Sequence, residues 1–211
     1  MPAPPRHRGA AAVLFGCFPL STVALSVFLV DLDATGLAEG PLPSIVNSGS
    51  LAGTFDAEFD TPVVTQIDGV NAITLDGDND WYIGPDASVL SGSADRSCEV
   101  WVYNTEIPNE ESIVAWGRRG GGEGTNWSML YGTNNTFGAL GAWGPAADMP
   151  FEVGGGAPAP NEWHHLVLTF DGATNTRSIY VDGLLSNSEN DGGLLNTHAV
   201  DNIGTALPFV I

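Results

Sequence analysis

Short runs of alternating apolar and polar residues, each closed by glycine, asparagine, aspartate or proline, dominate this chain of 211 residues. A period of two belongs to strands that turn one face to a core and the other to solvent. It predicts strands over residues 27–31, 62–67, 70–75, 81–83, 96–105, 112–117, 127–132, 137–143, 163–170, 177–181 and 184–188. Residues 85–90 fit a single helical turn, and the stretch up to Asp60 after the first strand is rich in turn residues. Asp68-Gly69, Asp171-Gly172 and Asp182-Gly183 read as turns, because glycine accepts the positive φ that tight hairpins demand. No dozen residues carry a sustained helical apolar face. Many short antiparallel strands without a helical layer leave a sandwich or a barrel. Residues 117–124, with Arg118 and Arg119, and the Pro/Gly-rich residues 146–160 read as flexible loops in one domain without internal repeats.

Charge narrows the chemistry. Lysine is absent, and six arginines face 25 acidic residues, for a net charge of −19. A chain without lysine has no P-loop lysine, no Schiff-base lysine and no Ser–Lys dyad. It also lacks the basic footprint that nucleic acid requires. Strong acidity serves solubility by self-repulsion, or suits a saline setting that screens the repulsion. With 43% hydrophobic residues the chain has enough apolar side chains for a core.

Residues 1–26 have a composition of their own. Arg6 and Arg8 precede an apolar run over 10–18, Pro19 breaks it, and Ala24 and Ser26 place small residues at a cleavage site. This is the layout of a secretory signal peptide, and it implies a secreted or cell-surface chain. Pro19, Ser21 and Thr22 interrupt the segment too early for a membrane span. Leu14-Phe15-Gly16-Cys17 resembles a lipoprotein acylation box, although Phe15 is large for the position before glycine. Once the leader is removed, Cys98 is the sole cysteine, so no intramolecular disulfide can form. Cys98 sits in an alternating segment and reads as a small core residue.

Asn161-Glu162-Trp163-His164-His165-Leu166-Val167-Leu168-Thr169-Phe170-Asp171-Gly172 and Arg177-Ser178-Ile179-Tyr180-Val181-Asp182-Gly183 carry a resemblance. Together they are similar to the laminin G-like, concanavalin A-like lectin/glucanase family. Asn71 to Trp81 and Glu99-Val100-Trp101-Val102 resemble that family's earlier strands. The resemblance covers residues 27–211 and implies an all-β antiparallel sandwich of jelly-roll type. It also implies two further strands returning beside the first, where this sequence stops at Ile211. The 27–211 sandwich is therefore expected to lack its closing strands and to leave a sticky unpaired edge. Trp163 to Phe170 is largely apolar on both faces, which predicts a strand covered on each side.

The family implies several chemistries. A glucanase needs paired carboxylates on alternate strand positions. The nearest match, Glu58-Phe59-Asp60-Thr61-Pro62, has proline in place of the second glutamate and reads as an acidic loop. Gly49-Ser50-Leu51-Ala52-Gly53 misplaces its serine for a nucleophile elbow. His164 and His165, adjacent on a strand, point to opposite faces and cannot share a metal. Calcium wants clustered oxygens, and Asp76, Asp78, Asn79 and Asp80 supply them at a loop of the kind where the family holds calcium. The same residues also make an ordinary solvated turn. Asp31 and Asp33 form a weaker cluster. The Asp76 loop is no EF-hand, since Trp81 occupies the glycine position and Ala87 the glutamate position.

Carbohydrate binding needs an exposed aromatic platform. Trp101 and Trp163 lie in the strand signatures and read as core. Trp81, Trp116 and Trp127 flank turns, and Trp143, just before a long loop, is the best ligand-facing ring. The expected ligand-binding set is thus Trp143, Trp127 and Trp116. The whole reads as a non-catalytic extracellular recognition or adhesion module, with a glycan as first ligand class and a protein surface as second. A glycoside hydrolase relative and a purely structural module of a larger secreted protein are the alternatives. Calcium is the one cofactor considered, and neither a nucleic-acid partner nor a membrane span in the mature chain is expected.

Overall fold

A computed structural model describes residues 28–211; the leader, Cys17 and Val27 lie outside the described residues. Among the described residues the fold has fourteen strands and one 3-10 turn, Ser88–Leu90. The strands are β1 Gly40–Pro41, β2 Ser44–Val46, β3 Thr54–Phe59, β4 Val63–Ile67, β5 Val70–Thr74, β6 Asp80–Asp86 and β7 Arg96–Tyr103. They continue with β8 Ser112–Gly117, β9 Asn126–Leu130, β10 Leu140–Gly141, β11 Trp163–Asp171, β12 Thr176–Val181, β13 Leu184–Asn190 and β14 Pro208–Val210. A seven-stranded sheet runs β10-β9-β8-β14-β6-β3-β2, a four-stranded sheet β13-β12-β11-β7 and a small one β1-β4-β5. All ladder pairings are antiparallel.

One buried cluster takes Phe55, Trp116, Trp127, Met129 and Phe209 from the seven-stranded sheet. It takes Cys98, Val100, Leu166, Leu168 and Phe170 from the four-stranded sheet, and Ile73 from β5. The sheets therefore close over a common core as an antiparallel sandwich, as the alternation requires. Cys98 is buried and in no disulfide, and its place in the core is the one its strand position predicted. The buried Arg96 guanidinium lies between the layers, 5.4 Å from the Trp127 ring centroid and 5.5 Å from that of Phe170. It donates to the carbonyls of Ala94, Leu90 and Gly92 and to Thr197 Oγ1. A buried cation is tolerated because its donors are met and its flat faces rest on rings.

Hairpin chemistry follows the sequence at two turns. Asp68 (φ 51°) and Gly69 (φ 84°), and Asp182 (φ 52°) and Gly183 (φ 80°), take the paired positive φ values of two-residue hairpins. Asp171-Gly172 does something else. β11 continues through Asp171, and the left-handed residue before β12 is Asn175 (φ 56°). Gly172 is required by close approach, because a Cβ there would sit 2.0 Å from the Ser93 carbonyl oxygen.

Four expectations change. Residues 28–31 form no strand: Asn47 Oδ1 accepts from the Asp31 N–H, and its amide donates to the Leu29 carbonyl. The N–H groups of Ser48, Ser50 and Leu51 also donate to the carbonyls of Asp31, Phe28 and Leu29, and these bonds, interleaved with those of the Asn47 side chain, make no regular ladder. The turn-rich stretch holds β1, β2 and β3, with β3 paired to β2 and β6 on its two edges. Residues 137–143 keep only β10 as strand, since Asn134 Oδ1 caps Thr136 and Phe137 and Trp143 takes φ 65°. Finally, β14 is an interior strand, paired to β6 and to β8.

β11 is covered on one face only. His164, Leu166, Leu168 and Phe170 are buried, whereas Trp163, His165, Val167 and Thr169 are half-buried on the outer face. Trp101, expected in the core, shares that outer face; it is 44% exposed and its ring lies 4.9 Å from that of His165.

Candidate functional site

The outward face of β8, β9, β10 and β14 forms the floor of a groove of about 820 Å³. Alternation places Ser112, Asn126 and Ser128 on that floor and sends Trp127 and Met129 inward. Ser112 Oγ and Ser128 Oγ are 3.0 Å apart, and Asn126 donates to the Gly141 carbonyl at 2.9 Å. A polar floor of hydroxyl and amide groups suits a hydroxyl-rich ligand.

Trp143 stands on the rim of this groove, 44% exposed. A bulky residue at positive φ needs a surrounding structure that enforces it. Here the buried Asp148 carboxylate accepts the N–H groups of Ala142 at 2.6 Å and Gly144 at 3.4 Å, one on each side of the tryptophan. Burial pushes Asp148 above the usual carboxylate range, while the two N–H groups and Arg177 pull the other way. Glu123 accepts the Ala146 N–H at 2.7 Å, and its side chain fills the space that a Cβ on Gly144 would need. The turn thus holds the indole at the groove mouth. Arg119 lies over that ring at 5.4 Å and reaches Glu110 at 3.9 Å.

Trp116 and Trp127 are corrected as ligand-facing rings. They are 2% and 0% exposed and stack on each other with centroids 5.4 Å apart, against Phe209 and Arg96. Trp116 borders the groove, but its ring belongs to the core. A tryptophan beside a turn can point either way, and strand parity decides it.

Asp76, Asp78 and Asp80 lie along a second cavity, of about 550 Å³. Asp76 Oδ1 accepts the N–H groups of Asp78 at 2.8 Å and Asn79 at 3.2 Å, and Asp80 Oδ1 accepts that of Asp76 at 2.8 Å. Two of the three carboxylates expected to hold calcium therefore bind their own turn. Burial, with the repulsion of Asp76, pushes Asp80 up to about 6. Among the described residues no three acidic, cysteine or histidine side chains come close enough to hold a metal ion. Asp31 instead accepts from Ser48 Oγ, and Asp33 caps Thr35.

The two histidines face apart, as adjacent strand residues must. Buried His164 bonds Asp182 at 2.8 Å and the Ala159 carbonyl at 3.0 Å, while His165 bonds Glu99 at 2.8 Å on the outer face. Both have structural partners. Glu58 and Phe59 are exposed at the end of β3, where Phe59 takes φ 60°, and neither Glu58 nor Asp60 lines the groove. Glu110 and Asp148 are the carboxylates that do.

No helix among the described residues is long and apolar enough to cross a membrane. No curated protein and no solved structure matches the sequence. A laminin G-type family model, described as the concanavalin A-like lectin/glucanases superfamily, matches residues 51–206, which takes in the Trp-His-His strand, the Tyr-Val-Asp-Gly hairpin and both groove loops. On that match and on its antiparallel sandwich, the chain belongs to the concanavalin A-like lectin/glucanases superfamily.

Proposed function

We propose that this domain is a non-catalytic, extracellular carbohydrate-binding module whose ligand lies in the groove of the seven-stranded sheet and stacks on Trp143. The observation that carries the reading is the Trp143 turn. A half-exposed indole is held at positive φ beside a floor of serine and asparagine groups. Sugar rings present apolar faces to such a ring and hydroxyls to such a floor.

The carboxylates of the groove support a binding role over hydrolysis. Asp148 is buried and bonded to two backbone N–H groups, and Glu110 faces Arg119. A glycosidase needs one carboxyl free to protonate the leaving oxygen and another free to attack or to activate water. The signal-peptide layout of residues 1–26 supports secretion. A glycan array that includes neutral and uronate-bearing oligosaccharides tests the reading. Binding is expected to a defined glycan class, and Trp143→Ala is expected to lower affinity at least tenfold with the melting temperature unchanged. A blank array, or binding indifferent to Trp143→Ala, contradicts it.

A protein surface is the second reading, and one observation favours it. Trp101, 44% exposed, and Leu185, 56% exposed, lie on the outer face of the four-stranded sheet. Exposed aromatic and aliphatic side chains on one sheet face are the makings of a protein interface.

A further inference from the structure

Six described residues other than glycine take positive φ, and four of them are aspartate or asparagine, which tolerate it. The other two are bulky aromatics, Trp143 and Phe59 (φ 60°). Phe59 is 77% exposed, so core packing does not hold its ring where it is. On β3, Phe55 is buried and Ala57 packs against the core, and alternation would send Phe59 the same way. At φ 60° the ring lies outward instead, against Trp81, with centroids 4.7 Å apart. A strained backbone that displays a ring to solvent marks a contact site.

The Phe59–Trp81 pair shares a sheet face with the Trp143 groove. Tyr82 is buried, so Trp81 and Ile83 take the outward positions of β6. Ile83 pairs with Val210, and Val210 with Ala115, two residues of the groove floor. Glu110, Ser112 and Val210 line both the groove and the cavity of about 550 Å³ that holds Trp81. The two hollows adjoin, and one path crosses the sheet from Trp143 to Trp81 and Phe59.

Span and charge describe the occupant. β10, which leads into the Trp143 turn, and β6 are four strand steps apart in the sheet, about 19 Å. A disaccharide is too short to touch both ends of that path, and a chain of several sugars is not. The far half is lined by Asp76, Asp78, Asp80 and Glu106 and by no basic side chain. Such a wall repels an anionic chain and offers acceptors to hydroxyl groups. We infer that Phe59 and Trp81 form a second stacking platform, and that the ligand is a neutral oligosaccharide chain long enough to reach it from Trp143. This inference rests on the glycan reading and adds to it the chain length, the charge and the far contact. A chain that reaches both platforms gains the second contact as an intramolecular step.

Calorimetric titration of the full chain with the biose and the hexaose of the laminari-, cello- and manno-oligosaccharide series tests it. In at least one series the hexaose is expected to bind at least tenfold more tightly than the biose. Phe59→Asn removes the ring and leaves a residue that tolerates positive φ; it is expected to weaken that hexaose at least fivefold and to leave the biose unchanged. Phe59→Tyr keeps a ring and is expected to bind like the parent, and thermal melts establish that each variant is folded. A hexaose no tighter than its biose overturns the inference. So does hexaose binding that falls with Trp143→Ala and is indifferent to Phe59→Asn, a result that leaves the glycan reading standing. No heat with any of the six sugars also overturns it, and the glycan reading falls with it only where the array is blank as well.

Discussion

Three tryptophans that sequence could not separate are separated by strand parity. Trp127 and Trp116 follow the inward positions of β9 and β8, while Trp143 follows a strand and is turned out by its own φ. Trp127→Ala should therefore cost about 3–5 kcal/mol, as large core truncations do. Trp143→Ala should change stability by less than about 0.5 kcal/mol, as exposed substitutions do, and Trp143→Gly should relieve the backbone strain of the positive φ. Urea denaturation of the two variants checks this, and equal losses would place both rings in the core. Glu111 gives a pH test of its own. Burial, with repulsion from Glu106, pushes its carboxyl up, against the pull of the Asn104 hydrogen bond. A carboxyl raised in the folded state holds its proton there more tightly than in the unfolded chain. Stability is therefore lost as pH rises from the usual glutamate range through the raised value. Glu111→Gln removes that loss while keeping an acceptor for Asn104. It should be more stable than the parent at pH 8, with the difference shrinking toward pH 4 in chemical denaturation at each pH.

Among the elements, strands whose sequence alternates or flanks an Asp-Gly hairpin are legible, five-residue β4, β5 and β9 included, and strands without such a signal are not. β7 and β11 fall within a few residues of the expected bounds because buried positions recur along their eight and nine residues, and β12 and β13 do so because the Asp182-Gly183 hairpin sets where they meet. β3 was missed. Phe55 is its one buried residue, and the strand exists because β2 and β6 provide ladders on its two edges. β14 was missed for the same reason: three residues carry no period, and their place between β6 and β8 is a tertiary fact. Gly84 shows how closely β3 and β6 fit, since a Cβ there would stand 2.2 Å from the Phe55 ring. Gly84→Ala should cost about 1–3 kcal/mol by overpacking, read as a fall in denaturation midpoint. Phe55→Leu combined with Gly84→Ala should recover part of it, because the two positions share one space.

At the scale of the whole molecule, charge and fold pull in different directions. Two of the described arginines, Arg96 and Arg177, are buried and tie loops to the core, and Arg118 and Arg119 stand beside the groove. Most of the surface is left acidic at a net −19. Several of those carboxylates cap turns, as Asp171 and Asp201 do, and backbone N–H groups there hold them below the usual range. Self-repulsion of this size should make the melting temperature rise between about 0.02 M and 1 M salt, since screening weakens repulsion before it weakens buried contacts. A melting temperature that falls would mean that surface ion pairs dominate. The fold class was legible because its motifs are turn chemistry and strand parity. The groove was not, because it is assembled from β8, β9, β10 and β14 and from the Asp148 turn, which lie far apart in sequence. The most direct test is a two-dimensional NMR titration of indole-15N-labelled protein with laminarihexaose, cellohexaose and an oligouronate. The predicted result is a saturable shift of the Trp143 indole with one of these glycans, and no shift of Trp116 or Trp127 beyond that of distant residues. Shifts confined to Trp101 on the opposite sheet, or no indole shift with any of the three, would contradict carbohydrate binding in the Trp143 groove.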